Sequence, residues 1–155
     1  MGSQIRQFQP EDFHGVWLLE LGEKGAKYPA YVFIRQASLL FPRTFLVGLV
    51  EGIPAGYCIG AVSQDSSSEA WILRLRVSLP YRRQHIGSDL IDALLAEFSR
   101  RRICLVHLSV APGNTGAQAL YRKFGFENSA YHEGYFGEGE DRIIMTLRMD
   151  EVSVM

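Results

Sequence analysis

Pro80-Tyr81-Arg82-Arg83-Gln84-His85-Ile86-Gly87-Ser88-Asp89-Leu90-Ile91 is the stretch that decides how this 155-residue chain is read. An apolar run from Ala70 to Leu79 leads into it. A 3.6-residue period leaves it, with Ile86, Leu90, Ile91, Leu94, Leu95 and Phe98 forming one stripe of a helix predicted over 86–102. A strand that feeds a short loop and then an amphipathic helix leaves the first helical amides without internal partners. With the helix dipole behind them, those amides attract an anion. Gly87 lets the backbone approach a bulky phosphate, Ser88 adds a hydroxyl, and Arg82 and Arg83 bring charge and forked donors. The glycines of a dinucleotide-binding fingerprint and the Gly-Lys pair of a Walker loop are absent. An ordinary strand-loop-helix crossover with a basic loop fits the same residues.

Downstream, Ile103 to Val110 reads as a buried strand, broken by Pro112-Gly113-Asn114. Ala117 to Phe124 reads as a short helix stopped by Gly125. Residues 126–135 and 142–149 alternate as two last strands, joined by Gly137-Glu138-Gly139-Glu140-Asp141. Upstream, Gln4 to Phe8 is a first strand, and Pro10-Glu11-Asp12 opens a helix carrying Phe13, Val16, Trp17 and Leu21, ended by Gly22 and Gly25. A second helix over 29–40 would bury Tyr31, Ile34, Leu39 and Leu40, with Pro42 closing it. Thr44 to Val50 and Ala55 to Val62 make a hairpin around Glu51-Gly52-Ile53-Pro54. The strand from Ala70 to Leu79 contains Trp71, Ile72, Leu73, Leu75 and Val77, with Arg74 and Arg76 on its opposite face. The order β-α-α-β-β-β-α-β-α-β-β predicts a mixed α/β fold with a mostly antiparallel sheet, in a single domain over 1–155.

Composition fits that class: 47% hydrophobic, 21% charged, net charge −1. No global field favours nucleic acid or an anionic membrane. The Arg100-Arg101-Arg102 run sits in a helix's last turn, where it complements the dipole. No apolar run has the length of a bilayer span, and the expectation is a cytoplasmic protein without membrane contact. Cys58 and Cys104 both lie in apolar runs and are expected to be buried, reduced thiols. No metal site is expected.

The phosphate-turn reading together with Asn114, Ala117, Leu120, Tyr121, Gly125 and Phe126 resembles the GNAT acetyltransferase superfamily. That family's phosphate signature, Arg/Gln-x-x-Gly-x-Gly/Ala, reads here Arg82-Arg83-Gln84-His85-Ile86-Gly87, and its second motif, Asn-x-x-Ala-x-x-Leu-Tyr-x-x-x-Gly-Phe, is matched in full. His85 stands where the family has a small residue. The resemblance implies a sheet with two splayed strands, here Ile72–Leu79 and Ile103–Val110, flanked by helices, with acetyl-CoA as cosubstrate. Backbone groups of Leu75, Arg76 and Val77 would pair with the pantetheine arm. Amides of Arg83, Gln84, His85, Ile86, Gly87 and Ser88 would hold the diphosphate, with Arg82 beside them. Asn114 would bond to pantetheine or to nearby backbone, or cap its own helix. Tyr121 would protonate the departing thiolate.

The reaction implied is direct attack of a primary amine on the acetyl carbonyl, and an ammonium must first lose a proton. Relatives place a base at positions that are Trp71 and Ser109 here, and neither can serve. Glu69, on the face of Trp71, and His107, on the face of Ser109, are the nearest substitutes. A histidine can serve as a base near neutral pH, while a water chain or an external base is an equal alternative. The region from Tyr131 to Met145 is similar to the end of the protein N-terminal acetyltransferases, including those acting on ribosomal protein alanine termini. By that likeness Tyr131 and Tyr135 line the groove for a peptide N-terminus, with Tyr28 and Trp71 as further substrate contacts. Glu138, Glu140 and Asp141 would attract a cationic amine, whereas Arg74 and Arg76 would favour a carboxylate. A polyamine, amino acid or aminoglycoside acceptor, or a coenzyme A-binding module without chemistry, is the alternative. Either a monomer or a homodimer is compatible.

Overall fold

The computed structural model describes residues 2–21, 30–82 and 84–149. Seven strands form one mixed, mostly antiparallel sheet in the order β1-β2-β3-β4-β5-β7-β6. They are β1 Gln4–Gln7, β2 Phe45–Val50, β3 Ile53–Val62, β4 Glu69–Val77, β5 Leu105–Val110, β6 Glu127–His132 and β7 Arg142–Arg148. The helices are α1 Phe13–Leu21, α2 Ala30–Leu40, α3 Ile86–Arg100 and α4 Thr115–Lys123. The chain packs as two compact units, Met1–Ala61 with Arg74–Glu97 and Val62–Leu73 with Phe98–Met155.

In the first unit, β2 runs antiparallel to both β1 and β3, and every residue of β2 is buried. The β2–β3 turn is Glu51-Gly52, both with positive φ (51° and 78°), the two-residue geometry that matches strand twist. Val16 of α1 and Ile34 and Ala37 of α2 close over Phe45, Val47, Tyr57 and Ile59. Pro10–Asp12 is a 3-10 turn rather than the start of the α-helix. Its buried Asp12 accepts from the Gln9 amide at 2.9 Å and from both Arg6 nitrogens at 2.6 and 2.9 Å. That bidentate hydrogen bond raises the Arg6 pKa.

The period of α3 is as the sequence predicts. Ile86, Leu90, Ile91, Leu94 and Phe98 are at most 1% exposed, each burial stabilising by roughly 1.5–3 kcal/mol. α2 differs from expectation. Ala30, Ile34 and Ala37 are buried, whereas Tyr31, Leu39 and Leu40 are 45%, 74% and 69% exposed. The alanines lie at helical spacing from Ile34 and are small enough to bring the helix close, so the larger side chains turn outward. The glycines expected to end α1 lie outside the described residues.

β4 also departs from the reading of its faces. Ala70 and Ile72 are buried, so Arg74 and Arg76 continue the buried face and Leu73 is 43% exposed. Arg74 Nε donates to the hydroxyl of fully buried Tyr57 at 3.1 Å, which gives the guanidinium a partner on that face. β4 stops at Val77, because Leu79–Tyr81 winds into a 3-10 turn around Pro80.

In the second unit, β4 pairs in parallel with β5 from Glu69↔Leu105 to Ile72↔Leu108. β5 runs antiparallel to β7 from Leu105↔Arg148 to Val110↔Ile143, and β7 is antiparallel to β6. β5 starts two residues later than expected, because the Cys104 and Leu105 amides donate to Ser68 O. Cys104 is exposed, a correction to the expected buried thiol, while Cys58 is fully buried.

Candidate active site

In the first unit Arg74 to Val77 end β4, Leu79–Tyr81 is a 3-10 turn, and Ile86 to Ser88 begin α3. The strand is pinned from below: Ser78 N donates to Ala55 O at 2.8 Å, and a Cβ on Gly56 would lie 2.8 Å from Arg76 O. Leu75, Arg76 and Val77 are half-buried. Exposed Arg82 folds back, its Nε donating to Val77 O at 3.1 Å, so this carbonyl, expected to face pantetheine, already has a donor. Gln84 Nε2 reaches Pro80 O at 3.4 Å. His85 is exposed with φ 63°, the left-handed conformation in which a glycine is at ease and in which histidine is several-fold enriched over most side chains. The first bond of the helical ladder here runs from Asp89 N to His85 O at 2.9 Å. The Ile86, Gly87 and Ser88 amides therefore precede the ladder.

Beside this turn lies a cleft of about 400 Å³, lined by Gly15, Leu18 and Leu19 of α1, Ile53 and Pro54 of β3, and residues Arg76 to Arg82. Its size is that of a small-ligand site, and Ile86, Gly87 and Ser88 of α3 are not among the residues that line it. Arg83 and Tyr28 lie outside the described residues.

In the second unit, Asn114 Oδ1 accepts from Ala117 N at 3.1 Å, so it caps α4 and leaves its NH2 for other partners. Buried Gln118 donates to Ala111 O and Pro112 O at 3.1 and 2.9 Å, tying the loop to the helix. Tyr121 is 7% exposed, its ring edge-on to Phe126 with centroids 5.7 Å apart. Gly125, at φ 99°, ends α4 as the sequence predicts.

A polar cluster sits on one face of the same unit. The sequence pairs Glu69 with Trp71 and His107 with Ser109, but does not relate the two pairs. The register Trp71↔His107 puts all four on one face. The Trp71 and His107 rings lie 5.1 Å apart, and His107 Nε2 is 3.7 Å from Glu69 Oε1, with side chains 18% and 37% exposed. On its other side His107 Nδ1 is 2.9 Å from Thr146 Oγ1, and Thr146 Oγ1 is 2.9 Å from Ser129 Oγ. Sequence reasoning missed Thr146 and Ser129. Their only signal is a hydroxyl side chain on a late strand, which acquires meaning from the register His107↔Thr146.

The β6–β7 hairpin is exposed from Glu127 through Glu140. Asp141 organises its tip, accepting from Tyr131 OH at 2.7 Å and Gly134 N at 2.8 Å. These bonds hold the Asp141 carboxyl below its ordinary pKa, and the same carboxylate raises the Tyr131 phenol. Tyr135 stacks on His132 and meets Phe136 edge-on. Glu140 pairs with Arg142 at 3.0 Å. Of the three acids expected to draw a cation, Glu140 and Asp141 thus already have partners inside the hairpin. Among the described residues no group of three or more His, Cys, Asp or Glu side chains could hold a metal, and no helix is long and apolar enough to cross a membrane.

The chain is 33% identical over 90 residues to the ribosomal protein bS18-alanine N-acetyltransferase of Escherichia coli strain K12, covering 56% of this chain and 61% of that protein. The chain thus spans about three fifths of the length of that relative. A putative enzyme of the same name from Bacillus subtilis strain 168 is 26% identical over 150 residues, 96% of this chain and 97% of that one. Among solved structures, Ard1 from Thermoplasma volcanium superposes with a TM-score of 0.88 at 28% identity, covering 97% of this chain and all (100%) of that one. The model of the acetyltransferase (GNAT) family matches residues 4–126, and the chain belongs to that family.

Proposed function

We propose that this chain is a cytoplasmic, single-domain N-acetyltransferase, monomeric or homodimeric, that moves an acetyl group from acetyl-CoA directly to the α-amine of a protein or peptide N-terminus. Family membership and the names of its relatives support the reaction class and the acceptor. The observation that carries the catalytic reading is the Glu69–His107 pair, a proton acceptor with a carboxylate beside it.

In this reading Leu75, Arg76 and Val77 bind the pantetheine arm, and Arg82 to Ser88 bind the diphosphate. Asn114 steadies the cofactor while capping α4. Trp71, Tyr131, Tyr135 and Tyr28 contact the acceptor. His107 Nε2 takes a proton from the acceptor's ammonium, and Glu69 stabilises the resulting imidazolium. The neutral amine forms the C–N bond, with a backbone amide near Val77 donating to the carbonyl oxygen as charge builds there. As the C–S bond breaks, Tyr121 gives its hydroxyl proton to the departing sulfur, and the nitrogen's surplus proton replaces it. The proton held by His107 then passes to water.

The test is thiol release from acetyl-CoA with the full chain, comparing an alanine-started peptide with a polyamine. The peptide is expected to be the faster acceptor, and Tyr121→Phe and His107→Ala are each expected to lower kcat about 100-fold. Equal or faster polyamine turnover overturns the acceptor, and full activity of either variant removes that residue's role. Coenzyme A at 100 times its Kd is expected to stabilise the chain by about 2.7 kcal/mol. A thermal shift without turnover across an amine panel would leave a binding module.

A further inference from the structure

The neighbours of His107 form one connected chain of hydrogen-bonding groups. Ser129 Oγ is 3.1 Å from Ile144 O, and a backbone carbonyl can only accept, so in that bond the serine is the donor. Ser129 then accepts from Thr146, at 2.9 Å, which uses the threonine's proton. Thr146 Oγ1 in turn accepts from His107 Nδ1, 2.9 Å away. With the bonds running in that direction, neutral His107 carries its hydrogen on Nδ1, and Nε2 holds the lone pair. The 3.7 Å from Nε2 to Glu69 Oε1 is longer than an N–H···O bond yet within ion-pair range. The Trp71 ring, 5.1 Å away, limits rotation of the imidazole.

We propose that Thr146 and Ser129 are positioning residues: the chain of bonds from Ile144 O through Ser129 and Thr146 locks His107 in the Nδ1–H tautomer and presents Nε2, with Glu69 alongside, as the proton-accepting atom. The kinetic part rests on the base role proposed for His107, whereas the tautomer does not. Fixing the tautomer of a catalytic histidine through a partner on its other nitrogen governs whether it can act as a base at all. Thr146 is half-buried while Ser129 is exposed, so water can replace the serine more readily than the threonine.

The experiment is ¹⁵N NMR of the full chain labelled at histidine, with the His107 signals assigned by their loss in His107→Gln. The expected wild-type spectrum of neutral His107 has a protonated Nδ1 and an unprotonated Nε2. Thr146→Val keeps the β-branched shape and removes the acceptor. It is expected to shift the signals toward Nε2–H and to lower kcat/KM about tenfold or more, and Thr146→Ser is expected to restore both. Ser129→Ala is expected to move the same signals less. An Nε2–H tautomer in the wild type, or an unchanged tautomer in a folded Thr146→Val, overturns the proposal. If the tautomer is as stated but His107→Ala retains full rate, the base role fails and the positioning of the ring stands.

Discussion

Two of the chain's passages from strand to loop to helix, β4 to α3 and β5 to α4, finish differently. Between β5 and α4 the loop is sealed by its own side chains: Asn114 caps the helix, and Gln118 reaches back to two carbonyls. Between β4 and α3 side chains also reach back, Arg82 to Val77 O and Gln84 to Pro80 O, yet the described loop residues from Leu79 to His85 are mostly exposed, and the first three helical amides precede the ladder. A buried turn adds local stability, whereas an exposed one leaves its backbone open to solvent and to other partners. The contrast teaches where this protein holds itself together and where it holds itself open. At the open turn rigidity is displaced upstream, onto Gly56 beneath Arg76 and the Ser78–Ala55 bond.

The sharpest way to break that contrast is Gly56→Ala. Its Cβ would meet a backbone oxygen that cannot swing aside, with Ile86 and Val77 methyls at 3.3 Å. The expected loss is about 2–3 kcal/mol in urea unfolding. A neutral result would mean that the open turn is not supported from its strand. Gln118→Ala comes next, with an expected loss of about 2 kcal/mol from two hydrogen bonds to a part-buried loop. Asn114→Ala should cost about 1 kcal/mol as a lost cap. A loss much larger than that would point to more than capping. His85→Gly should act in the opposite direction, stabilising by about 0.5–1 kcal/mol, because φ 63° strains any residue with a Cβ. Coenzyme A affinity, measured by calorimetry, should stay unchanged, since the backbone already adopts the conformation a glycine would take. Destabilisation by His85→Gly would show that the imidazole supports the turn.

Much of this was legible in the chain before any coordinates. α3 announced itself because five large apolar residues at helical spacing all point inward. α4 did so because an asparagine, a helical run and a glycine at φ 99° are local signals. In α2 the size of an apolar side chain does not decide its burial. Its buried contacts are two alanines and one isoleucine, and no local signal distinguishes Leu39 and Leu40 from core residues. The faces of β4 misled for a related reason. Arg74 and Arg76 extend the buried face, Arg74 through Tyr57, a residue 17 positions earlier whose hydroxyl the sequence could not place there. The polar cluster at His107 was half legible. Glu69 and His107 were within reach of period-2 reasoning, but their association depends on strand register across 38 residues, and the link to Thr146 on register across 39. Register is set by packing and turns over long separations, so a single sequence carries it weakly.

The two thiols turn this architecture into a clock. Burial pushes Cys58 up to about 12, only partly offset by the Leu46 backbone, while Cys104 is exposed. Since the thiolate is the species that reacts, a small alkylating reagent should add once, promptly, at Cys104. A second adduct should wait for β3 to come away from its neighbours. The delay between the two additions, followed by mass spectrometry, measures how often the first unit opens. Two equally fast additions would mean that β3 is not sequestered as described.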